Sequence, residues 1–288
     1  MRIEKALVVY NKPLYQLHVL EQRDPHYIDL LKKKHPTTKL WRAINAMHQE
    51  TLEGVKRTLE LLGIETDVVF RGHLKKVGGY DLVVTVGGDG TFLDISHSLG
   101  SQVLLGVNSA PIDSTGALCR ARIDNFLSVL VDLISGKRKP LWIPRLQVKL
   151  NGKPLPTPVL NEVLFANQSS AGTSRYLLIC GKRREEQKSS GIWVAAPTGS
   201  TAAIRSAGGK PMPLNRAAMQ FVVRELFPEP KRKSRIRHGI LNQGKTLVLY
   251  SKMRQGSLFV DGNKIAIPLN FGDKVEISPD GKPLHAVL

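Results

Sequence analysis

Residues 81–91, Asp-Leu-Val-Val-Thr-Val-Gly-Gly-Asp-Gly-Thr, constrain this chain more than any other stretch. Leu82 to Val86 is an apolar, β-branched run of strand length. It ends in Gly87-Gly88-Asp89-Gly90, and Thr91 opens a pattern with Phe92, Ile95 and Leu99 on one helical face. A strand that runs through a glycine turn into a helix makes a phosphate site, because bare backbone N–H groups approach the anion and the helix dipole favours it. Asp89 is out of place beside phosphate unless it binds a metal ion or removes a proton. The plain alternative is a tight turn with an aspartate helix cap. Three glycines around one acid, directly after a buried-type strand, weigh against that alternative.

Around this turn the pattern alternates strand and helix. Ala6–Tyr10 reads as a strand, with Asn11-Lys12-Pro13 turning out of it. Residues 14–40 are polar, rich in His and Lys and broken by Pro25 and Pro36, and are expected to be a long excursion with one short helix. Ile44, Met47, Leu52, Val55, Leu59 and Leu62 predict a helix over 41–62, closed by Gly63. Thr66–Phe70 and Val103–Val107 read as further strands, and Asp124–Ile134 as a helix. Such alternation implies a parallel sheet whose ligand site lies at the carboxyl ends of the strands, where the glycine turn falls.

Beyond Pro140 the pattern changes. Strand candidates follow in succession at 146–150, 159–166, 175–180, 191–196, 246–250, 257–260, 264–267 and 274–277, with turn pairs such as Asn151-Gly152, Asp261-Gly262 and Asp280-Gly281 among them. The fold class expected is α/β plus β: a parallel-sheet α/β domain followed by an antiparallel β-rich domain. The boundary falls between residues 108 and 140, and the division adopted is 1–120 and 121–288.

Bulk properties narrow the function. A formal charge of +18 favours an anionic partner such as a nucleotide, polyphosphate, nucleic acid or acidic membrane. The basic runs Lys32–Lys34, Lys182–Arg184 and Lys231–Arg237 are not interleaved with aromatics, which argues against single-stranded nucleic acid. Cys119 and Cys180 are the two cysteines and form no CxxC pair, which rules out a disulfide framework and argues against structural zinc. No apolar run approaches a membrane span, and the chain begins with a strand rather than a leader, so a soluble cytoplasmic protein is expected. His18, His26 and His35 form no metal-ligand spacing and are expected at the surface. No Walker A loop, GxGxxG or GxSxG elbow is present.

Two stretches of the second half are unusual for plain strands. Asn161-Glu162 places two adjacent polar side chains in an apolar run, so one of them faces a core or cleft unless the strand is a wet edge. Ala195 to Gly209 reads as strand, turn and a helix of small residues from Ser200, which either brings backbone close to a flat ligand or packs tightly on the sheet.

Taken together, Gly87-Gly88-Asp89-Gly90-Thr91, Asn161-Glu162, Thr198-Gly199-Ser200-Thr201-Ala202, Ser206-Ala207-Gly208-Gly209 and Phe259-Val260-Asp261-Gly262-Asn263 resemble the NAD kinase family over most of the chain. Gln187-Lys188-Ser189-Ser190-Gly191, and Gly106-Val107-Asn108 followed by Leu118-Cys119, look closest to its mitochondrial-type branch. The resemblance implies a two-domain fold with the active site between the domains. It implies transfer of the γ-phosphoryl group of ATP, or of another phosphoryl donor, to the 2′-hydroxyl of the adenosine ribose of NAD, with Mg²⁺ or another divalent cation. It assigns Asp89 as base or metal-positioning residue, and Gly87, Gly88, Gly90 and Thr91 as phosphate contacts. Asn161, Glu162, Lys188, Ser190, Thr198, Thr201, Ala202, Ala203, Ser206 and Asn263 become dinucleotide contacts. It also implies a dimer or tetramer, with no metal site built wholly from protein.

The chain departs from the family pattern at Ser190, where Asp is usual, and at Ala203, where Tyr commonly stands. Both bear on dinucleotide affinity and on the choice between NAD and NADH. The turn after Asn108 carries a short insertion before Gly116, and no ligand is assigned there. Two other functions compete. A lipid kinase shares the glycine–aspartate loop, but the Glu-Val and Asn-Gly usual just after it are absent. A non-catalytic dinucleotide- or nucleic-acid-binding protein would explain the charge, but not the retention of Asp89 with Asn161-Glu162.

Overall fold

The computed structural model describes residues 2–75, 77–227 and 235–288, in two compact units: 2–141 with 285–288, and 142–284. The division follows Leu141, so the helix after residue 125 belongs to the first unit.

The first unit contains β1 (Lys5–Tyr10), α1 (Pro25–Lys32), α2 (Trp41–Leu61), β2 (Glu65–Phe70), β3 (Leu82–Gly87), α3 (Asp89–Ser96), β4 (Val103–Asn108) and α4 (Phe126–Ile134). Its sheet runs β2-β1-β3-β4, all parallel, and His285–Val287 add a parallel strand beside β4. Every residue of β3 and β4 is buried, as the unbroken apolar runs require when both faces are covered. Leu52, Val55 and Leu59 of α2 and Phe126, Leu130 and Leu133 of α4 cover the face that carries Val84, Leu105 and Val107. Gly106 points the other way. A Cβ there would stand 2.8 Å from the Phe92 ring, so its glycine lets α3 lie against the sheet. Gly63 closes α2 with φ +68°, and Ile64 N–H reaches back to the Leu59 carbonyl at 3.0 Å.

Residues 14–40 are more ordered than their composition suggests. A π-helical turn (Tyr15–Glu21), α1 and a short 3₁₀ turn (Pro36–Thr38) succeed one another. The Asp24 side chain caps α1 through the His26 N–H, with Pro25 at the first helical position, so the proline that seemed a breaker is a starter. His26 and His35 are exposed, whereas His18 is half-buried and its ring stacks on Tyr27 at 4.1 Å.

The second unit continues with β5 (Leu141–Leu150), β6 (Lys153–Pro154), β7 (Glu162–Asn167), β8 (Ser174–Cys180), β9 (Arg183–Ser189), β10 (Ile192–Ala195), α5 (Ala203–Ser206), β11 (Ala218–Val223), β12 (His238–Asn242), β13 (Leu247–Ser251), β14 (Gly256–Val260), β15 (Ile265–Leu269) and β16 (Lys274–Val287). One sheet runs β12-β11-β10-β7-β14-β15, antiparallel throughout. The first part of β16 pairs with β13, which pairs with β8 and so with β9. Phe165, Val194, Phe221 and Leu258 from the first sheet meet Tyr176, Leu249, Val275 and Ile277 from the second in one core. Strands β9, β11 and β12 escape an alternation rule: β9 is mostly charged, β11 is buried on both faces, and β12 sets Ile240 beside Leu241 with no residue fully buried. Asp280-Gly281 does not end a strand, because β16 passes through it to Val287. The helix expected from Ser200 is a 3₁₀ turn (Thr198–Thr201) followed by the one-turn α5. Most of the basic run 231–237 lies outside the described residues. Among the described residues no helix is long and apolar enough to cross a membrane.

Candidate functional site

Parallel register carries the ends of β1, β3 and β4 to one edge of the first unit, with Tyr10 opposite Val86 and Gly87 opposite Asn108. The residues just beyond them, Asn11-Lys12, Gly88 and Ser109, therefore converge. They border a cavity of about 380 Å³, also walled by Gly90, Thr91, His48, Arg71 and Asp113. Each glycine of the turn has its own reason. A Cβ on Gly87 would stand 2.6 Å from Thr91 Oγ1, and one on Gly88 would stand 3.0 Å from Ser114 Oγ. A Cβ on Gly90 would meet nothing within 4 Å, so its absence leaves free space beside the cavity. Gly88 is the N-cap of α3, so the positive end of that helix lies at the cavity wall. Two cations add to it. Lys12 pairs with Glu21 at 2.7 Å and Arg71 with Asp94 at 3.1 Å, so an entering anion competes with both carboxylates.

Asp89 does not line this cavity. Its carboxylate turns to the segment after β4 and accepts the N–H groups of Ala117 (2.9 Å), Leu118 (2.8 Å) and Cys119 (3.2 Å). The Cys119 thiol also hydrogen-bonds this carboxylate, so four groups of residues 117–119 converge on it. Burial, with the nearby Asp89 charge second, raises the Cys119 thiol well above its ordinary range, which keeps it uncharged beside the acid.

The second unit holds a separate cluster at the start of β7. The Asp261 side chain accepts three consecutive N–H groups: Leu160 at 2.8 Å, Asn161 at 2.7 Å and Glu162 at 2.9 Å. Asp261 adopts φ +47°, a conformation Asp tolerates better than most residues, and its own N–H returns to the Glu162 carbonyl at 2.9 Å. Asn161 and Glu162 are both buried, and Asn161 Oδ1 and Glu162 Oε2 have no hydrogen-bond partner. Burial, followed by repulsion from Asp261, raises Glu162 to about 8. At neutral pH its carboxyl keeps a proton and can donate as well as accept. Gly199 passes directly over this pair. A Cβ there would overlap the Asn161 carbonyl and come within 2.6 Å of Glu162 Oε2. Thr198 Oγ1 donates to the Leu160 carbonyl, and Ser200 Oγ donates to the Pro197 carbonyl while accepting Met212 N–H.

The expected residues thus fall into several places. Gly88, Gly90 and Thr91 share the cavity of the first unit, with Gly87 packed against Thr91. Asn161, Glu162 and Thr198 cluster in the second. Thr201 and Ser206 are exposed, and Ala202 and Ala203 are half-buried, on the short helical segment that follows Thr198. Ser190 and Asn263 border a different cavity of about 420 Å³ floored by Trp193 and Phe259. Lys188 borders a third cavity with Arg175 and Phe271. Sequence reasoning missed Lys12, Arg71, His48, Ser109 and Asp113. A signal existed for two of them: Lys12 and Ser109 lie just beyond the carboxyl ends of predicted parallel strands.

A parallel sheet with a glycine–acid turn at its carboxyl edge, beside a cavity walled by lysine and arginine, defines an α/β protein built to handle phosphate. The family model for the ATP-NAD kinase N-terminal domain matches residues 22–137. A "Probable NADH kinase" of Oryza sativa subsp. japonica is 35% identical over 272 residues, covering 84% of this chain and 82% of the rice protein. The NADH kinase of Arabidopsis thaliana is 30% identical over 273 residues, covering 84% of each. In fold, the chain is similar to an NAD kinase from Archaeoglobus fulgidus solved with ATP, with TM-score 0.69 and 18% identity over 97% of this chain and 92% of that one. It is equally similar to yeast NADH kinase solved with NADH, with TM-score 0.71 and 18% identity over 100% of this chain and 84% of that one. The chain is a kinase, and it belongs to the NAD kinase family.

Proposed function

We propose that this chain transfers the γ-phosphoryl group of ATP to the 2′-hydroxyl of the adenosine ribose of NAD or NADH, giving NADP or NADPH. The observation that carries the acceptor side is the pair of buried, unpartnered atoms Asn161 Oδ1 and Glu162 Oε2. Buried polar atoms are rarely left without partners, and a ligand rich in hydroxyls supplies them. Likeness over 84% of the chain to plant proteins named NADH kinase or probable NADH kinase supports acceptance of the reduced dinucleotide alongside NAD.

On the donor side, the N–H groups of Gly88 and Gly90, the Thr91 hydroxyl, Lys12 and Arg71 hold and neutralise the phosphate chain. A divalent cation would accompany the nucleotide. Among the described residues no group of three His, Cys, Asp or Glu side chains is placed to hold a metal by itself. The donor set fits a cation carried mainly by phosphate oxygens, with Asp113 on the cavity wall as the protein carboxylate. When bound, that cation would offset charge on the transferring phosphoryl group. Asp89 receives or orients the 2′-hydroxyl proton. A positioned base contributes about 10²–10⁴-fold, and alignment with charge neutralisation supplies the rest. Thr198, Thr201, Ala202, Ala203 and Ser206 contribute to the dinucleotide surface, and Lys188, Ser190 and Asn263 belong to the same proposal at its periphery. Assembly as a dimer or tetramer is part of the reading, and sedimentation tests it.

The direct assay incubates the purified chain with ATP, Mg²⁺ and either NAD or NADH, and detects NADP(H) by an NADP-specific dehydrogenase. Product from either dinucleotide supports the reading. Failure with both, with polyphosphate as well as ATP, overturns it.

A further inference from the structure

We propose that the apolar wall of the glycine-loop cavity, with Tyr15 as its main contact, seats the base and sugar of a nucleoside triphosphate and so selects it over inorganic polyphosphate as the phosphoryl donor. The inference rests on reading that cavity as the phosphate site.

The cavity has two kinds of wall. Gly88, Gly90 and Thr91, with Lys12 and Arg71, make the side suited to anions. Pro13, Leu14, Tyr15, Trp41 and Ile44 make an apolar side that phosphate oxygens have no use for. Trp41, Ile44 and His48 are spaced along α2 so that they share one face of the helix. His48 marks the end near the glycine turn: its ring lies 2.8 Å from the Ser109 hydroxyl, and the Ser109 N–H donates to the Gly87 carbonyl at 3.3 Å. Trp41 stands about 10 Å further back along the helix axis. The apolar wall therefore leads away from the glycine turn, as a base and sugar lead away from a phosphate chain.

That wall is held in place before any ligand arrives. Trp41 packs against Tyr27 at 5.6 Å, and Tyr27 stacks on His18 at 4.1 Å. Gln49 of α2 donates to Gln16 Oε1 at 2.6 Å, which ties the π-helical turn carrying Tyr15 to the same helix. Arg42 lies over the Tyr15 ring at 5.8 Å. Leu14 nonetheless stays 49% exposed, with Tyr15 half-buried beside it. Apolar surface kept open in a concave site gains free energy when a flat ring covers it. A polyphosphate chain brings only charged oxygens to that surface.

The test compares ATP with inorganic triphosphate on the full chain, by calorimetric binding of each and by the KM for ATP in NADP(H) formation. Wild type is expected to bind ATP about tenfold more tightly than triphosphate, from ring contact and apolar burial together. Tyr15→Ala should raise the Kd and KM for ATP about tenfold and move the triphosphate Kd by less than about twofold. The KM for NAD should stay at its wild-type value. Tyr15→Phe, which keeps the ring, should bind ATP like wild type. Leu14→Ala, at an exposed position, should weaken ATP about threefold and keeps the test readable if Tyr15→Ala fails to fold.

A wild type that binds triphosphate as tightly as ATP, or binds neither, would overturn the proposal. So would equal losses for ATP and triphosphate in the variants, or a rise in the KM for NAD in place of that for ATP, which would give the wall to the acceptor. Product from wild type with an ATP KM that neither Ala variant moves would sink this inference alone. ATP-selective losses in a chain that makes no NADP(H) would sink the kinase reading and leave the inference standing.

Discussion

Asp261 Oδ1 accepts the Glu162 N–H at 2.9 Å, and the same carboxylate raises the pKa of the Glu162 side chain that N–H precedes. One residue thus fixes the backbone of the Asn161-Glu162 pair and helps to keep its acid protonated. Asp261→Asn retains a single acceptor oxygen for three N–H donors, so at least one buried donor is stranded. The expected cost is about 1–3 kcal/mol in urea denaturation. The KM for NAD should rise more than the KM for ATP, since Asp261 lies in the dinucleotide cluster. A variant with wild-type stability and KM would refute this role.

Glu162 makes stability depend on pH in an unusual direction for an acid. The folded chain holds its proton up to about 8, whereas an unperturbed glutamate releases it near 4.5. Between those values the folded state binds more protons than the unfolded one, so stability falls as pH rises, with a limiting slope of about 1.4 kcal/mol per pH unit. Urea midpoints across that window, compared with Glu162→Gln, isolate the contribution. The Gln variant should show a shallower decline, and an identical pH curve would contradict the assignment.

Gly199 tests the contact between the 3₁₀ turn and β7. Its Cβ would overlap the Asn161 carbonyl, which is backbone and cannot swing aside. Gly199→Ala should destabilise the chain by about 1–3 kcal/mol and shift Asn161-Glu162 out of place, raising the dinucleotide KM. Gly90→Ala is the control, because a Cβ there meets open space. It should fold like wild type and lose ATP affinity alone.

Much of this is legible in the sequence. The buried runs 82–86 and 103–107 read as parallel strands because both faces are covered, and Gly87–Thr91 could only be a strand-to-helix turn. The fold class and the family followed from motifs that local sequence carries. What stayed hidden is set by pairing at long range. Nothing local shows that β16 runs through Asp280-Gly281 to join β4, or that charged Arg183–Ser189 is a strand, because neighbouring strands decide both. Asp89 was legible as an acid at a glycine turn, but its three N–H donors come from residues 117–119, whose position depends on how the chain leaves β4. His48 sits at a core position of α2 by helical spacing, and its link to Ser109 spans 61 residues of sequence.

The central claim is that Asp89 serves phosphoryl transfer from ATP to the dinucleotide, and one comparison tests it most directly. Wild type and Asp89→Asn are assayed for NADP(H) formation from NAD and NADH under saturating ATP and Mg²⁺, with a thermal melt on each. The account predicts product from wild type and a drop in kcat of at least about 10²-fold in the variant, with both proteins folded. A folded Asp89→Asn chain that turns over like wild type would show that the acid only holds residues 117–119 in place, and would contradict the account.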